Sequence, residues 1–298
     1  MVRRDAFAGY HPTVNLAFFV LVFVCAMLLM EPVCLLLSLL PACGYDLWLH
    51  GGKAVRFGAR AVLPAMVLAA VLNPAFSHAG VTILAYFPSG NPLTLESILY
   101  GLAAAVLLAA VIVWCRCCAA VLTADKLVYL FGRVIPALSL VLALSLRQIP
   151  RCAAQLRTIR ANRRCMGETC GGSGVVGRVR SGAKLLSILV TWCLENAIET
   201  ADSMKGRGYG LPGRTAFALY RFTRRDALAL LWLALCAAVV LWGAVGGYFR
   251  WHYFPALGGA ALSAPAVLCR ACYGALCCTP LYLNGREERQ WKRLHSAM

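Results

Sequence analysis

The sequence predicts an all-α integral membrane protein with about six transmembrane helices and a basic helical region between the fourth and the fifth. Hydrophobic residues make up 61% of the 298-residue chain. Charged residues make up only 14%, whereas soluble domains carry about 25%. Apolar runs at 14–30 and 226–248 are close to the length of about 20 residues that crosses a bilayer.

The charge is strongly positive and unevenly distributed. The net charge is +17, from 29 lysines and arginines against 12 acidic residues. In a soluble protein this excess would suggest nucleic acid. Here the basic residues gather in a few segments between apolar runs, which the positive-inside rule assigns to the cytoplasmic side. We therefore expect no nucleic-acid partner; beyond that rule, the excess charge suits an anionic bilayer surface or an acidic protein.

The first apolar block, 14–44, is interrupted by Glu31 and Pro32. It is either one long tilted helix or two short helices joined by a turn. Residues 45–60 carry Lys53, Arg56 and Arg60 against Asp46, so this segment is expected in the cytoplasm. Because the first run shows no small-residue cleavage site after Arg3 and Arg4, we expect a membrane span there and not a signal peptide.

The next spans are predicted at 61–76 and 96–119. The segment that joins them, 77–95, holds no Asp, Glu, Lys or Arg and suits the outside. The region 147–184 is strongly basic and opposed only by Glu168. This region must be cytoplasmic. Because four crossings precede it and the N-terminus is inside, the segment 128–146 cannot cross the membrane. Pro136 suits a bent helix along the interface.

Counting 14–44 as one span and 128–146 as another also gives an even number of crossings before the basic region 147–184. That count places the basic segment 45–60 outside and the uncharged segment 77–95 inside, so charge favours the first topology. The last spans are predicted at 226–247 and 262–283, and the basic tail remains inside. The chain therefore divides into N-terminal transmembrane helices (1–123), a helical region (124–210) and a C-terminal transmembrane hairpin with its tail (211–298). Both termini are expected in the cytoplasm.

A helix predicted at 184–205 ends in a glycine-rich stretch, "ADSMKGRGYG". Ala197, Ala201 and Met204 recur at helical spacing on one face, and acidic residues lie on another. Glycines after Lys205 are typical of a helix end. We therefore expect Arg207, between Gly206 and Gly208, to project from the tip of this helix.

A second arginine tip is predicted upstream. Arg157, Arg160 and Arg164 form one stripe of a helix that Gly167 can end. This stripe is equally compatible with a solvated basic face and with a partner-binding surface. Two helices that both end in arginine favour a docking role.

The sequence lacks the residues of a catalytic site. The G-x-G-x-x-G pattern at 172–177 follows a basic helix and not a strand, so we interpret it as a connector. A Walker A motif, a His-Glu-x-x-His motif and a Gly-x-Ser-x-Gly elbow are all missing, and the histidines are scattered. Cys269 and Cys272 form a lone C-x-x-C, so no metal site is predicted. Arg270, within the last apolar run, marks a functional position or pairs with a neighbouring helix.

Several stretches resemble the transmembrane T component of energy-coupling factor (ECF) transporters, a family that includes the cobalt-transport permease. "YHPTVNLAFF" (10–19) is similar to its opening motif, with Asn15 where lysine is usual. The segments 78–101, 123–150 and 280–291 are also similar, and "ADSMKGRGYG" resembles its second Ala-Arg-Gly-type motif. The resemblance runs over nearly the whole chain.

The resemblance implies two long coupling helices whose X-Arg-X motifs dock into two cytoplasmic ABC ATPases. Arg207 with Gly206 and Gly208 fits the second motif. Arg164 is the candidate for the first, Arg163 is the alternative register, and the usual following glycine is missing. The supporting faces are Ala197, Ala201 and Met204 on one helix and Arg157 and Arg160 on the other.

The resemblance further implies a non-catalytic subunit of a prokaryotic plasma-membrane importer. This chain would bind no cofactor, because the partner ATPases hold Mg-ATP. A membrane substrate-binding (S) subunit would bind the cargo, a vitamin or a transition-metal ion. The alternative is a self-contained secondary transporter or channel. That class needs ionisable groups at mid-membrane, and apart from Arg270 the spans offer little. A membrane enzyme is a further alternative, for which the sequence shows no catalytic set.

Overall fold

The computed structural model describes residues 5–77, 80–86, 92–167, 174–211, 220–255, 258–259 and 263–296. In these residues the helices, in chain order, are α1 (Pro12–Leu28), α2 (Pro32–His50), α3 (Gly52–Phe57), α4 (Leu63–Phe76), α5 (Leu95–Val121), α6 (Ala124–Val134), α7 (Pro136–Cys165), α8 (Val175–Gly206), α9 (Arg224–Val245) and α10 (Ala264–Ser296). Two short antiparallel ribbons pair β1 (Ile83–Tyr86) with β2 (Pro92–Thr94) and β3 (Trp251–His252) with β4 (Gly258–Gly259).

The chain divides into two compact units. Residues 1–123 and 220–298 form the first, which we call the membrane body, and residues 124–219 form the second, which we call the helical arm. Five helices of the described body are long and apolar enough to cross a membrane: α2, the run from Gly52 to Phe76, α5, α9 and α10. The 17-residue α1 is a shorter apolar helix. The chain is thus an all-α membrane protein, as the sequence predicts.

The first apolar block forms two helices, which resolves the alternative left open by the sequence. α1 ends at Leu28, and α2 begins at Pro32 with Glu31 as its N-cap residue. Proline suits the first helical position because its missing N–H has no partner there in any case. The break at Glu31 and Pro32 therefore acts as a turn between two helices.

The basic segment 45–60 is not a loop. α2 continues to His50, and Gly51 alone separates it from α3, with a φ of 56° that favours glycine. A π-helical turn at Gly58–Val62 then joins α3 to α4. Lys53, Arg56 and Arg60 therefore lie on the first turns of a helix. Their long side chains can place the charge in the headgroup region from there.

Two further differences concern the ends of apolar runs. The uncharged segment 77–95, in which the sequence shows no strand pattern, contains the β1–β2 ribbon. The basic C-terminal tail continues α10 as far as Ser296. The helix persists beyond the apolar run because its polar end is rich in good helix formers such as Arg, Glu and Gln.

Aromatic side chains fill the centre of the membrane body. Phe7, Phe18, Phe19, Tyr45 and Trp114 are buried and meet mainly edge to face. Such edge-to-face pairs are the favoured geometry of aromatic rings. The cluster joins the segment before α1 to helices α1, α2 and α5.

Polar contacts fix the segment that precedes α1. Asn284 of α10 accepts from the Ala6 N–H at 2.7 Å and donates to Asp5 Oδ1 at 2.8 Å. The Tyr45 hydroxyl donates to Asp5 Oδ2 at 2.8 Å. These bonds satisfy polar groups that would be costly to bury alone. The first described residues are therefore part of the folded body.

The helical arm begins with α6, which ends just before Pro136. Ile135 has an extended conformation between α6 and α7, as expected for a residue that precedes proline. The sequence predicts a bent helix at Pro136, whereas the structure has two separate helices that meet there. Their position along the membrane interface stays a prediction. Neither α7 nor α8 is among the helices long and apolar enough to cross a membrane.

Candidate functional site

The candidate site lies on the helical arm, where α7 and α8 pack in antiparallel directions. Cys152 Sγ lies 3.4 Å from Cys193 Sγ. Eleven residues further along α7, the Arg163 Nη1 group donates to the Ser181 carbonyl at 3.2 Å. As the α7 number rises, the α8 partner's number falls. Ile159 and Leu185 are buried between these two contacts.

Arg163 and Arg164 have different environments, although they are neighbours in sequence. Arg163 is only 6% exposed and bonds to α8. Arg164 is exposed. Successive helical residues are rotated by about 100°, so only one of the two can face α8. Arg163 therefore serves α7–α8 packing, which leaves Arg164 as the accessible arginine of this tip.

The end of α8 is a Schellman motif. Gly208 has a φ of 81°, and its N–H donates to the Lys205 carbonyl at 2.9 Å. The Tyr209 N–H donates to the Met204 carbonyl at 3.0 Å. These two bonds satisfy carbonyls that a helix end otherwise leaves unpaired. Arg207 is the C-cap residue of this motif and is exposed, as predicted for a helix tip.

The two glycines that flank Arg207 differ in whether the fold needs a glycine at that position. Gly208 needs its left-handed backbone conformation, which other residues adopt only at a cost. Gly206 is helical and exposed, and a Cβ placed there would meet nothing within 4 Å. Glycine inside a helix costs about 1 kcal/mol relative to alanine. The fold of this chain therefore requires Gly208 and does not require Gly206.

α7 also ends at a glycine in the left-handed conformation, but its C-cap residue is not an arginine. Gly167 has a φ of 75°, and its N–H donates to the Arg164 carbonyl at 3.1 Å. Met166 is the C-cap residue, the position that Arg207 has in α8. Arg164 therefore lies two residues before the C-cap. The glycine that ends α7, Gly167, thus comes three residues after Arg164, whereas Gly208 directly follows Arg207.

The two arginine tips lie far apart. Arg163 contacts Ser181, so Arg164 lies beside the first turns of α8. Ser181 and Arg207 are separated by 26 residues of continuous helix, which at 1.5 Å per residue is roughly 40 Å. One compact groove cannot hold both side chains, so two separate sites are required to bind them.

The remaining predicted residues lie on exposed faces. Arg157 and Arg160 are exposed on α7, and Ala197 and Ala201 are exposed on α8, whereas Met204 is half-buried.

The sequence interpretation missed a stripe of four exposed apolar side chains on α8 at i, i+4 spacing: Leu186, Val190, Leu194 and Ile198. Their period of four residues was the signal that could have identified them.

Two arginines of the membrane body, Arg270 and Arg116, are paired with carboxylates. Arg270 of α10 donates from Nε to Glu31 Oε2 at 3.1 Å, and its Nη2 contacts Glu31 Oε1. Arg116 of α5 donates to Asp46 Oδ2 at 3.1 Å. Of the alternatives that the sequence leaves open for Arg270, the structure shows pairing with a neighbouring segment of the chain. A carboxylate bound in this two-point geometry neutralises the arginine inside the apolar body.

Titratable groups of the arm offer no metal site. Among the described residues, no group of three or more His, Cys, Asp or Glu side chains could hold a metal ion. The Cys152 and Cys193 thiols share a hydrogen bond, which with partial burial raises the pKa of Cys152. This pair contributes to the packing of α7 against α8.

The fold and the arm define a class: an all-α membrane protein with a basic helix pair whose helices are not among its candidate spans. No family model matches the chain. A curated protein, the energy-coupling factor transporter transmembrane protein EcfT of Lactobacillus helveticus (strain DPC 4571), is 28% identical over 105 residues. The match spans 35% of this chain and 38% of that relative's length.

Proposed function

We propose that this chain is the transmembrane T subunit of an ECF-type ABC importer. In this proposal it transmits movements of two cytoplasmic ATPases to a membrane S subunit that binds the transported vitamin or transition-metal ion. It binds no cofactor itself, since Mg-ATP belongs to the ATPases. The partial similarity to EcfT supports the assignment, and the pair of exposed arginine tips carries it.

The spacing of the tips supports two ATPase contacts. Arg164 and Arg207 are exposed at sites roughly 40 Å apart on one antiparallel helix pair. A guanidinium forms charge-assisted, often two-point hydrogen bonds with carboxylates. Each tip can therefore be held firmly by an acidic groove of one ATPase. When the ATPases approach each other on binding ATP, the two tips receive the movement.

The backbone at Arg207 supports close contact with a partner. Gly206 has no role in the fold of this chain, as its missing side chain leaves open space. A glycine that the fold does not require suits a site where another backbone approaches closely. The Schellman motif then orients Arg207 and fixes the end of α8.

The exposed apolar stripe of α8 supports a contact with the S subunit. Leu186, Val190, Leu194 and Ile198 are all exposed. An apolar stripe of this size marks a protein or membrane interface. We propose that it contacts the S subunit and transfers the helix movement to it. Residues 124–210 then form the coupling region, and both termini lie on the cytoplasmic side of a prokaryotic plasma membrane.

The decisive experiment is a charge reversal at Arg207. We expect the Arg207→Glu variant to insert normally, to lose uptake and to retain less ATPase when the tagged chain is purified from its native host. The double variant Arg164→Glu/Arg207→Glu should lose both ATPases. Arg151→Glu is the matched control, because Arg151 is exposed on α7 beside Cys152, which pairs with Cys193 in the middle of the helix pair, away from both tips.

Mass spectrometry of the purified complex identifies the partners. An S subunit should remain bound in the control and define the cargo. Normal recovery of both ATPases with normal uptake in Arg207→Glu would refute the docking role. Absence of any ABC ATPase from the complex of the unmodified chain would refute the T-subunit assignment itself.

A further inference from the structure

We propose that the β1–β2 ribbon of the membrane body inserts its apolar side chains into the interfacial region of the lipid bilayer. The ribbon joins the end of α4 to the start of α5. The proposal concerns residues 81–86 and their contacts, and it does not depend on the function proposed above.

The ribbon displays apolar side chains outward. Val81, Ile83, Leu84 and Tyr86 are all exposed, Tyr86 to 68%. Every residue of β1 is exposed, so both faces of the strand are open to the surroundings. In water, four exposed apolar side chains within six residues would be unfavourable.

A buried carboxylate holds the ribbon in this position. Glu96, in the first turn of α5, accepts from the Thr82 N–H at 3.2 Å and from the Thr82 hydroxyl at 2.8 Å. The Leu95 N–H donates to the Thr82 carbonyl at 3.0 Å. A Cβ at Gly80 would lie 2.6 Å from Glu96 Oε2, so only glycine fits beside this carboxylate. The display of apolar side chains is therefore a fixed feature of the fold.

The apolar surface continues onto a membrane span. Phe76, the last residue of α4, is 81% exposed, and Val71 and Leu72 are exposed one turn earlier. The run from Gly52 to Phe76 is apolar enough to cross a membrane and is hardly buried within the chain. The ribbon thus begins where a bilayer-crossing helix ends, at the depth of the lipid headgroups.

These observations favour lipid over a protein occupant. A docked protein covers one face of a two-stranded ribbon, whereas lipid surrounds both faces, and both faces of β1 are open. The segment 77–95 holds no Asp, Glu, Lys or Arg. Tyr86 also suits the interface, where its ring lies among acyl chains and its hydroxyl among headgroups.

A site-specific probe tests the proposal. A fluorescent amino acid that senses polarity replaces Leu84 in one variant and Tyr86 in a second, in the full chain. Lys292, whose side chain is 76% exposed on the polar end of α10, provides the control position. Each variant is placed in phosphatidylcholine vesicles prepared with and without acyl chains brominated near the headgroup.

We expect brominated lipid to remove most of the fluorescence at positions 84 and 86 and little at position 292. Aqueous iodide should do the reverse. Quenching by iodide alone at positions 84 and 86 overturns the proposal, because the ribbon then lies in water. Protection from both quenchers also overturns it, because a protein surface, such as a second copy of the chain, then covers the ribbon.

Discussion

Arginines of the membrane body and arginines of the helical arm differ in their partners. Arg270 and Arg116 each bind a buried carboxylate of another helix. Arg164 and Arg207 are exposed at helix ends. A charge inside an apolar body must be neutralised by the chain itself. A charge at an exposed tip is available to another protein, so the environment of each arginine separates a structural role from the docking role that we propose.

The largest expected effect comes from breaking a pair in the body. Arg270→Ala leaves the Glu31 carboxylate without its cation at a site where Glu31 is buried. Removing one partner of a buried pair costs about 3–5 kcal/mol. We expect a large fall in melting temperature in detergent. Arg250→Ala, which changes an exposed arginine of the same unit, should melt like the unmodified chain; equal melting of all three would contradict a structural role for Arg270.

The second prediction separates two adjacent arginines of the arm. Arg163→Ala removes the bond to the Ser181 carbonyl, and a lost hydrogen bond from a charged group costs about 1.5–3 kcal/mol. We expect faster amide hydrogen exchange in α7 and α8. Arg164→Ala should leave exchange unchanged and weaken ATPase binding.

The comparison of these two variants is its own control. If Arg164→Ala loosened the helix pair while Arg163→Ala did not, the assignment of the two roles would be reversed. If both variants exchanged like the unmodified chain, the bond to Ser181 would have no measurable weight in the packing of the arm.

Much of the body could be predicted because its helices are encoded locally. Apolar runs of sufficient length located α5 and α9 to within a few residues. Pro32 and Pro136 begin α2 and α7, at positions where the sequence predicts only an interruption and a bend. The turn at Gly51 was missed, because one glycine between two helices differs little from a glycine inside one. The β1–β2 ribbon was missed because its sequence lacks strand alternation, and its position depends on the bond between Thr82 and Glu96.

The candidate site was predictable only in part. Glycines in sequence located both helix ends, and Arg207 lies where the pattern places it. The choice between Arg163 and Arg164 depends on which side of α7 faces α8, and Ser181 lies 18 residues away. The spacing of Cys152, Leu156, Ile159 and Arg163 is that of one helix face and contained the answer. Only the position of α8 in the structure shows that this face is the one that packs against it.

A smaller effect is expected at the glycines around Arg207. Gly206→Ala should stabilise α8 by up to about 1 kcal/mol, since a Cβ there meets open space. Gly208→Ala should destabilise the helix end by about 1–2 kcal/mol, because its φ is 81°. Circular dichroism melts of the two variants measure this opposite pair of changes.

Binding measurements then sharpen the difference between the glycines. If a partner approaches Gly206 closely, Gly206→Ala weakens ATPase binding although it strengthens the helix. ATPase binding equal to that of the unmodified chain would show that Gly206 is not a contact. Stability equal in both variants would contradict the left-handed cap at Gly208.

The smallest effect concerns the thiol pair that joins the two helices of the arm. The Cys152–Cys193 hydrogen bond raises the pKa of Cys152, so its reactive thiolate forms at higher pH than usual. Cys193→Ala removes this bond, and we expect the midpoint of the pH dependence of Cys152 alkylation to move to lower pH. Peptide mass spectrometry after iodoacetamide labelling measures the rate, and the midpoint separates acidity from access. Ser187→Ala, on the exposed side of α8, is the control and should leave the midpoint unchanged. An unchanged midpoint in Cys193→Ala would mean that the two thiols do not meet and that α7 and α8 pack in another register.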